Sequence, residues 1–270
     1  MKVSRGRLHF NMTTYISVVS HGHSCLISQL SCLSNLSSDL QIVIKSNKPG
    51  DSFESLAHKA NFHWLDSKYG LGFGHNNNTV FNYCRTKLGM KDDDYFIVLN
   101  PDVIIESDDI ELLIGYMKSS LCKLSTINLY RDYDRLTSDN SIRKYPSLMQ
   151  FVTSFLGLGN SAIIEKNGIE EPTYVDWAAG SFLAFEASHY DRLSGFDENY
   201  FMYCEDIDIC YRSHLLGERV KYFPKIQAVH LARHANKKFM SKHFYWHVRS
   251  VIRFLLTKAS WTMNKSSIGS

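Results

Sequence analysis

Short apolar runs alternate with segments of helical spacing along the first hundred residues. The runs are rich in β-branched and aromatic residues, which predicts strands. They lie at 15–20, 40–45, 62–65 and 95–99. The segments between them predict helices at 24–36 and 52–61, and a third helix that ends near Leu88. This alternation predicts an α/β fold with a parallel sheet.

The pattern continues without a clear linker, internal repeat or low-complexity tract. Further strands are predicted at 124–130, 175–185 and 220–223, and a helix ends at Leu216 before Gly217, a typical helix stop. The strand at 175–185 is entered through small residues, where a ligand can approach the backbone closely. With 270 residues and 44% hydrophobic side chains, we expect one packed core.

Polar loops follow the predicted strands, at the sheet edge where α/β proteins bind ligands. The loop at 69–78 carries Gly70, Gly72 and Gly74 ahead of three asparagines. No third glycine falls at the spacing of a dinucleotide fingerprint, so we reject a Rossmann signature. Glycines and amide side chains still suit a loop that approaches a nucleotide.

Asp102 follows the strongest predicted strand, 95–99, after Asn100 and Pro101. Proline ends the strand, so a carboxylate stands at the carboxyl end of a central strand. Burying that carboxylate is costly without a cation or a hydrogen-bond donor. A turn-forming Asp after proline is an equally good interpretation of the local sequence.

A second acidic segment, 195–212, places Glu205, Asp206 and Asp208 where a helix should begin. Acids at a helix start are ordinary caps that meet the positive end of the helix dipole. The functional alternative is that one carboxylate, walled by aromatic residues, has a shifted pKa and serves as a general base. A third candidate is His230, which alone is more typical of a structural histidine. Together, a strand-end Asp and a His could hold a divalent ion with diphosphate oxygens and water.

The net charge, the cysteines and the length of the apolar runs indicate the class of partner and the cellular location. The formal net charge of +3 is too small to indicate a nucleic-acid partner. Six cysteines without a C-x-x-C pair predict reduced, mostly buried thiols, and no apolar run is long enough to span a bilayer. We expect a cytosolic protein, with residues 1–11 as a disordered extension.

Basic and apolar residues combine at 237–258. Phe244, Val248, Val251, Ile252 and Leu255 share helical spacing. One interpretation is a helix docked on the core with a solvated basic face. The other is an interfacial helix that lies on anionic lipid.

The order of these motifs resembles glycosyltransferase family 2, and more narrowly the bacterial rhamnosyltransferases of O-antigen and cell-wall assembly. The resemblance covers about 15–254, and its most specific part is the pairing of Leu99-Asn100-Pro101-Asp102 with Glu205-Asp206-Ile207-Asp208. It implies a GT-A fold, with a Rossmann-like mixed central sheet flanked by helices at 12–236 and a C-terminal basic helix and tail at 237–270.

The resemblance also implies roles for individual residues. Asp206 would be the acceptor base, and Asp102 with His230 would bind Mg²⁺ or Mn²⁺. The donor nucleotide sugar would be bound by Ser20, Asn47, Gly74, Asn77, Asn100 and Asp102. The acceptor side would comprise Trp177, Gly180, Ser181 and Glu205. Relatives usually have an Asp-Asn pair for the nucleobase in the second loop, whereas this chain has Ser46-Asn47, so only Asn47 carries over.

The implied reaction is an inverting transfer, since no residue stands out as a covalent nucleophile. The implied donor is dTDP-L-rhamnose and the implied acceptor is a polyprenyl-diphosphate-linked GlcNAc, at the inner face of the bacterial plasma membrane. Two alternatives stay open. One is a transferase for another nucleotide sugar. The other is a non-catalytic sugar- or lipid-binding module, against which the presence of both Asp102 and Asp206 counts.

Overall fold

A mixed sheet with helices on both faces forms the core of the computed structural model, which describes residues 12–147, 149–151, 162–231 and 242–268. The strands are β1 (Thr14–Ser20), β2 (Leu40–Ser46), β3 (Phe62–Leu65), β4 (Tyr95–Leu99), β5 (Val103–Ile104), β6 (Leu124–Tyr130), β7 (Ile142–Arg143), β8 (Thr173–Val175), β9 (Trp177–Ala178), β10 (Phe182–Glu186) and β11 (Val220–His230). The helices are α1 (Ser24–Leu30), α2 (Phe73–Lys87), α3 (Ser107–Ser119), α4 (Ala187–Arg192), α5 (Glu205–Leu215) and α6 (Lys242–Lys258).

The large sheet has the order β3-β2-β1-β4-β10-β6-β11-β5, with β8 also paired to β11. The four strands of the first hundred residues run parallel, as predicted. β10 is antiparallel to β4 and to β6 on its two sides, so the complete sheet is mixed. A separate antiparallel pair joins β7 to β9.

Strand β4 shows why both faces are covered. Phe96 and Val98 point into an apolar cluster that includes α2, α5 and α6, whereas Ile97 and Leu99 point into a second cluster with α1 and α3. Side chains alternate along a strand, so a strand buried on both faces reads as a continuous apolar run. This explains why the strand pattern was strong in the sequence.

Several predicted boundaries are wrong. Helix α1 ends at Leu30 rather than at 36, because Ser31 is left-handed with φ of 51°. The helix predicted at 52–61 is absent, and turns that join Leu56 to Phe53 and Ala57 to Glu54 replace it. The segment predicted as one strand at 175–185 is divided among β8, β9 and β10.

The predicted loop at 69–78 is also partly wrong, since α2 begins at Phe73 and contains Gly74 and all three asparagines. Strand β11 extends beyond the predicted end at 223 to His230. By contrast, the helix stop at Gly217, with φ of 87°, and the free thiols at all six cysteines are confirmed.

The C-terminal segment packs on the acidic segment at 195–212. Val251 and Phe254 of α6 are buried in the core. Arg253 donates to the Asp197 carboxylate, and Ser267 donates through its backbone N–H to Glu198 at 2.9 Å. No helix in the described residues is long and apolar enough to cross a bilayer. Residues 1–11, 237–241 and the expected boundary at 236 lie outside the described residues.

Candidate active site

Three loops meet beyond the carboxyl ends of the central strands. The backbone N–H of Asn100 donates to the Ser181 carbonyl at 3.0 Å, which joins the loop after β4 to the loop before β10. The Asp102 carbonyl accepts from Leu231, which joins the loop after β4 to the end of β11. The structure therefore brings the predicted residues Asn100, Asp102, Ser181 and His230 to one edge of the sheet.

His230 lies between two carboxylates. Its Nε2 is 3.4 Å from Asp102 Oδ1, and its Nδ1 is 2.6 Å from Asp139 Oδ2. Burial opposes protonation of the ring, but hydrogen bonds to the two aspartates outweigh it and raise the pKa of His230 to about 9. Burial would raise the pKa of Asp139, but the contact with His230 and the charge of Arg131 lower it.

Asp102 and His230 fit a divalent ion as two neighbouring ligands, and binding of the ion would displace the proton from Nε2 of the His230 ring. Ligands about 2.1 Å from one ion and at about a right angle lie about 3 Å apart, close to the observed Asp102–His230 separation. Asp139 is placed to hold Nδ1 so that Nε2 faces Asp102. No cluster of three or more protein ligands exists within the described ranges, so substrate oxygens or water would have to complete the ion's coordination.

Asp206 stands in the first turn of α5, after a sharp turn in which Tyr203 and Cys204 both have positive φ. Its Oδ2 accepts from the Gly180 N–H at 3.2 Å and its Oδ1 from the Ile207 N–H at 2.9 Å. Burial raises the pKa of Asp206, while these two amides and the charge of Arg143 partly oppose the rise. A half-buried carboxylate held in this way suits proton abstraction better than an ordinary exposed acid.

Three other acids of the segment, Asp197, Glu198 and Asp208, have structural partners. Asp208 pairs with Arg212 at 2.7 Å across one helical turn. Glu205 is buried, and desolvation together with the neighbouring Asp206 raises its pKa well above the usual range of a carboxyl group. Asp197 and Glu198 hold the C-terminal segment. Asp206 is the acid that the fold directs toward the loop of Gly180.

Two of the residues predicted on the donor side are engaged inside the fold. Asn47 holds the next loop, since its Nδ2 donates to the Leu71 carbonyl and its Oδ1 accepts from the Leu71 N–H, both at 2.8 Å. Asn77 is buried, and its Oδ1 accepts from the Ser17 hydroxyl at 2.7 Å. These contacts give both amides a structural role.

Two further donor-side predictions are explained by packing or by a turn. A Cβ added to Gly74 would lie 2.5 Å from Phe196 Cβ, so glycine is required there for helix packing. Ser20 is buried, and its hydroxyl accepts from the His23 N–H at 3.0 Å at the turn after β1.

Three of the four predicted acceptor-side residues lie in the loop that contacts Asp206 or in the strand just before it, whereas Glu205 lies in α5. Gly180 lies against the ring of Phe73, where a Cβ would come within 3.0 Å of the ring. Ser181 Oγ is buried and has no hydrogen-bond partner in the part of the chain that the structure describes. Trp177 is 5% exposed, and its indole N–H donates to the Lys144 carbonyl, so the ring is fixed just before the loop begins.

Sequence reasoning missed Asp139 and Arg143. Asp139 stands in a Ser- and Asn-rich stretch typical of a turn, and Arg143 stands in the least regular part of the sequence. Arg143 pairs along the backbone with Trp177 and exerts a charge effect on Asp206. The one signal in the sequence was the positive charge of Arg143 in a stretch of mixed composition, and this signal is too weak to indicate a functional residue.

Solved structures identify the class of fold. A mannosyltransferase from Pyrobaculum calidifontis, solved with GDP-Man and Mn²⁺, matches with a TM-score of 0.57 and 12% identity, over 95% of this chain and 66% of that one. Staphylococcus aureus TarS 1–349, solved with UDP-GlcNAc, matches with a TM-score of 0.60 and 12% identity, over 91% of this chain and 67% of that one. The fold is the GT-A glycosyltransferase fold.

Sequence relatives define the family within that class. Rhamnosyltransferase WbbL of Escherichia coli K12 is 42% identical over 248 residues, which cover 90% of this chain and 93% of WbbL. An N-acetylglucosaminyl-diphospho-decaprenol L-rhamnosyltransferase of Mycobacterium tuberculosis is 29% identical over 64% of this chain and 61% of its own length. No protein-family model matches the chain. The chain belongs to the rhamnosyltransferases of glycosyltransferase family 2.

Proposed function

We propose that this protein transfers L-rhamnose from dTDP-L-rhamnose to a polyprenyl-diphosphate-linked GlcNAc during assembly of a cell-surface polysaccharide such as O-antigen. The observation that carries the proposal is the meeting of two acidic centres at one sheet edge. Asp102 with His230 stands on one side, and Asp206 on the other, joined through the Asn100–Ser181 and Gly180–Asp206 hydrogen bonds. The names of the two sequence relatives support the sugar, and the mycobacterial name supports the acceptor.

The proposed reaction is a single displacement at the anomeric carbon. Asp206 takes the proton from the acceptor hydroxyl as its oxygen forms a bond to that carbon, and the bond from the carbon to the donor diphosphate breaks. One displacement inverts the configuration. The amides of Gly180 and Ile207 fix both oxygens of Asp206, so the carboxylate does not have to be ordered during the reaction.

A divalent ion, Mg²⁺ or Mn²⁺, would supply positive charge to the departing diphosphate. Asp102 and His230 would hold it, and Asp139 would orient the ring of His230. The Mn²⁺ present in the mannosyltransferase structure, and in a GalNAc-T7 structure solved with UDP, supports this part of the proposal.

We also propose that the protein works at the inner membrane surface. The residues of shared helical spacing in the predicted stripe, which runs from Phe244 to Leu255, do not all face the membrane, since Val251 is buried and Leu255 packs on the core. A set of side chains that shares Ile252 with the predicted stripe remains exposed. Its apolar side chains are Tyr245, Ile252, Trp261 and Met263, which are 64%, 54%, 78% and 88% exposed.

This exposed set, which we term the C-terminal face, also carries basic charge. Arg249, Lys258 and Lys265 of the same C-terminal segment are also exposed. Residues 219–270 contain eleven Lys and Arg and no Asp or Glu. Apolar side chains beside basic ones suit an anionic phospholipid surface, where the acceptor lipid would reside.

The donor and acceptor are tested together by measuring turnover. Purified protein is incubated with Mg²⁺ or Mn²⁺, a lipid-diphosphate-GlcNAc acceptor and a panel of nucleotide sugars. We expect product with dTDP-L-rhamnose at a rate at least about tenfold above any other donor, since a site built to bond one sugar rejects analogues that leave its groups unpaired. Faster turnover with another nucleotide sugar would overturn the donor assignment.

A further inference from the structure

Arg143 is held in one defined position beside the candidate active site. Its Nε donates to the Asn140 carbonyl at 2.9 Å, and its guanidinium lies 5.2 Å from the centroid of the Trp177 ring. The indole of Trp177 is itself fixed by its hydrogen bond to Lys144. Backbone pairing of β7 with β9 fixes the main chain at the same point. A guanidinium restrained from two sides is preorganised for binding.

The charge of the guanidinium acts on both acidic centres, and the guanidinium forms no ion pair with Asp206 or Asp139. Burial lowers the pKa of Arg143, and the charges of Asp206 and Asp139 act in the opposite direction. Asp139 pairs with His230 and Arg131, and Asp206 accepts from two backbone amides. Arg143 therefore adds a positive charge that acts on both centres, and neither Asp206 nor Asp139 neutralises it by a direct contact.

The terminal nitrogens of Arg143 are the notable feature. Nη1 and Nη2 have no hydrogen-bond partner within the described part of the chain, although the side chain is half-buried. Neither nitrogen is among the buried unpartnered atoms of the described residues, so both can be reached by a ligand from solvent. The planar pair of N–H groups matches two oxygens of a phosphate.

We infer that Arg143 binds a substrate diphosphate through Nη1 and Nη2. The inference rests on the proposed function, in which both the nucleotide-sugar donor and the lipid-linked acceptor carry this group. Arg143 would then help to place the diphosphate relative to Asp206. The donor and the acceptor both carry a diphosphate, and the experiment below distinguishes binding to the donor from binding to the acceptor.

The test compares Arg143→Gln, Arg143→Lys and Lys144→Gln. Lys144 is the exposed neighbour on the same strand end, so its substitution removes one positive charge without touching the site. For each variant, dTDP affinity is measured by calorimetry, KM is measured for the lipid-linked acceptor, and the unfolding midpoint in urea is recorded. A charged hydrogen-bonded contact predicts about a 10- to 100-fold loss for Arg143→Gln.

A donor contact predicts that the loss appears in dTDP affinity. An acceptor contact predicts unchanged dTDP affinity and a raised acceptor KM. In either case Arg143→Lys should recover part of the loss, because lysine keeps the charge but not the paired N–H groups.

The inference is overturned if Arg143→Gln matches Lys144→Gln in both affinities, or if Arg143→Lys behaves as wild type while Arg143→Gln is impaired. The second result would mean that only the charge beside Asp206 matters. If wild-type protein turns over no donor, the proposed function fails. Arg143 is then judged separately, by comparing the affinity of Arg143→Gln and Lys144→Gln for inorganic pyrophosphate.

Discussion

Asn77→Ala tests whether the central asparagine of α2 supports the fold or binds the donor. The side chain is fully buried, its Oδ1 accepts from the Ser17 hydroxyl and its Nδ2 donates to the Phe73 carbonyl. Removing it leaves the Ser17 hydroxyl without an acceptor, at about 1–3 kcal/mol, and adds a small void, so we expect a loss of about 2–4 kcal/mol in unfolding free energy. Donor KM should change less than about twofold in protein that remains folded, because the side chain would make no contact with the donor.

Urea unfolding followed by far-ultraviolet circular dichroism measures the loss. Asn82→Ala is the matched control on the same helix, since Asn82 is half-buried and bonds the Ser267 carbonyl near the C-terminus. Ser17→Ala completes a double-mutant cycle, and we expect a coupling of about 1 kcal/mol between Ser17 and Asn77. An Asn77→Ala protein of unchanged stability with a donor KM raised tenfold or more would refute the reasoning.

Three further predictions concern charge, metal and membrane. The fold raises the pKa of Glu205 to about 8, so the unfolding free energy of the wild type should fall as pH rises from about 4.5 to 8. Measured by urea unfolding, Glu205→Gln should therefore be more stable than the wild type at pH 8.5 but not at pH 4.5. Asp139→Asn should weaken Mn²⁺ binding about 10- to 100-fold by electron paramagnetic resonance titration, since it loses the carboxylate that orients His230. Trp261→Ser combined with Met263→Ser should reduce flotation with anionic liposomes at least about fivefold, because both side chains are exposed and apolar.

Each of these predictions has a contradicting result. Equal pH dependence of stability in wild type and Glu205→Gln would mean that Glu205 is not held neutral by the fold. Unchanged Mn²⁺ affinity in Asp139→Asn would mean that Asp139 does not orient His230 for metal binding. Flotation that is unaffected by the double substitution at Trp261 and Met263, or equal with neutral liposomes, would exclude the C-terminal face as the lipid contact.

The parallel half of the sheet was predictable because its strands are buried on both faces. Such strands are continuous apolar runs, and a polar loop or a proline follows each of them. Pro101, for example, follows β4. The placement of Asp102 at a strand end followed directly. The start of α5 was equally predictable, because acidic residues are stabilised by the positive end of the helix dipole.

The roles of the α2 asparagines could not be predicted in the same way. Glycines and amides in sequence favour a loop, and only the packed fold shows that Gly74 accommodates Phe196 and that Asn77 bonds Ser17. These are contacts between segments far apart in the chain. Buried polar groups are satisfied by whichever partner the tertiary structure supplies, which local pattern does not specify.

Asp139 and Arg143 were missed for a related reason. Their importance comes from the segments that they meet, which are the end of β11 at His230 for Asp139 and strand β9 at Trp177 for Arg143. Neither residue lies in a periodic element, so the sequence around them carries no pattern. Short β7, which is two residues long, is too brief to be recognised from alternation.

The central claim is that Asp206 accepts the proton of the acceptor hydroxyl. It is tested most directly by kcat of Asp206→Asn with dTDP-L-rhamnose and the lipid-linked acceptor, beside Asp108→Asn, which changes an exposed acid at the start of α3 in the same way. We predict that Asp206→Asn lowers kcat by about 10²- to 10⁴-fold with dTDP affinity unchanged, and that Asp108→Asn has no effect. An Asp206→Asn protein that turns over at the wild-type rate would contradict the account.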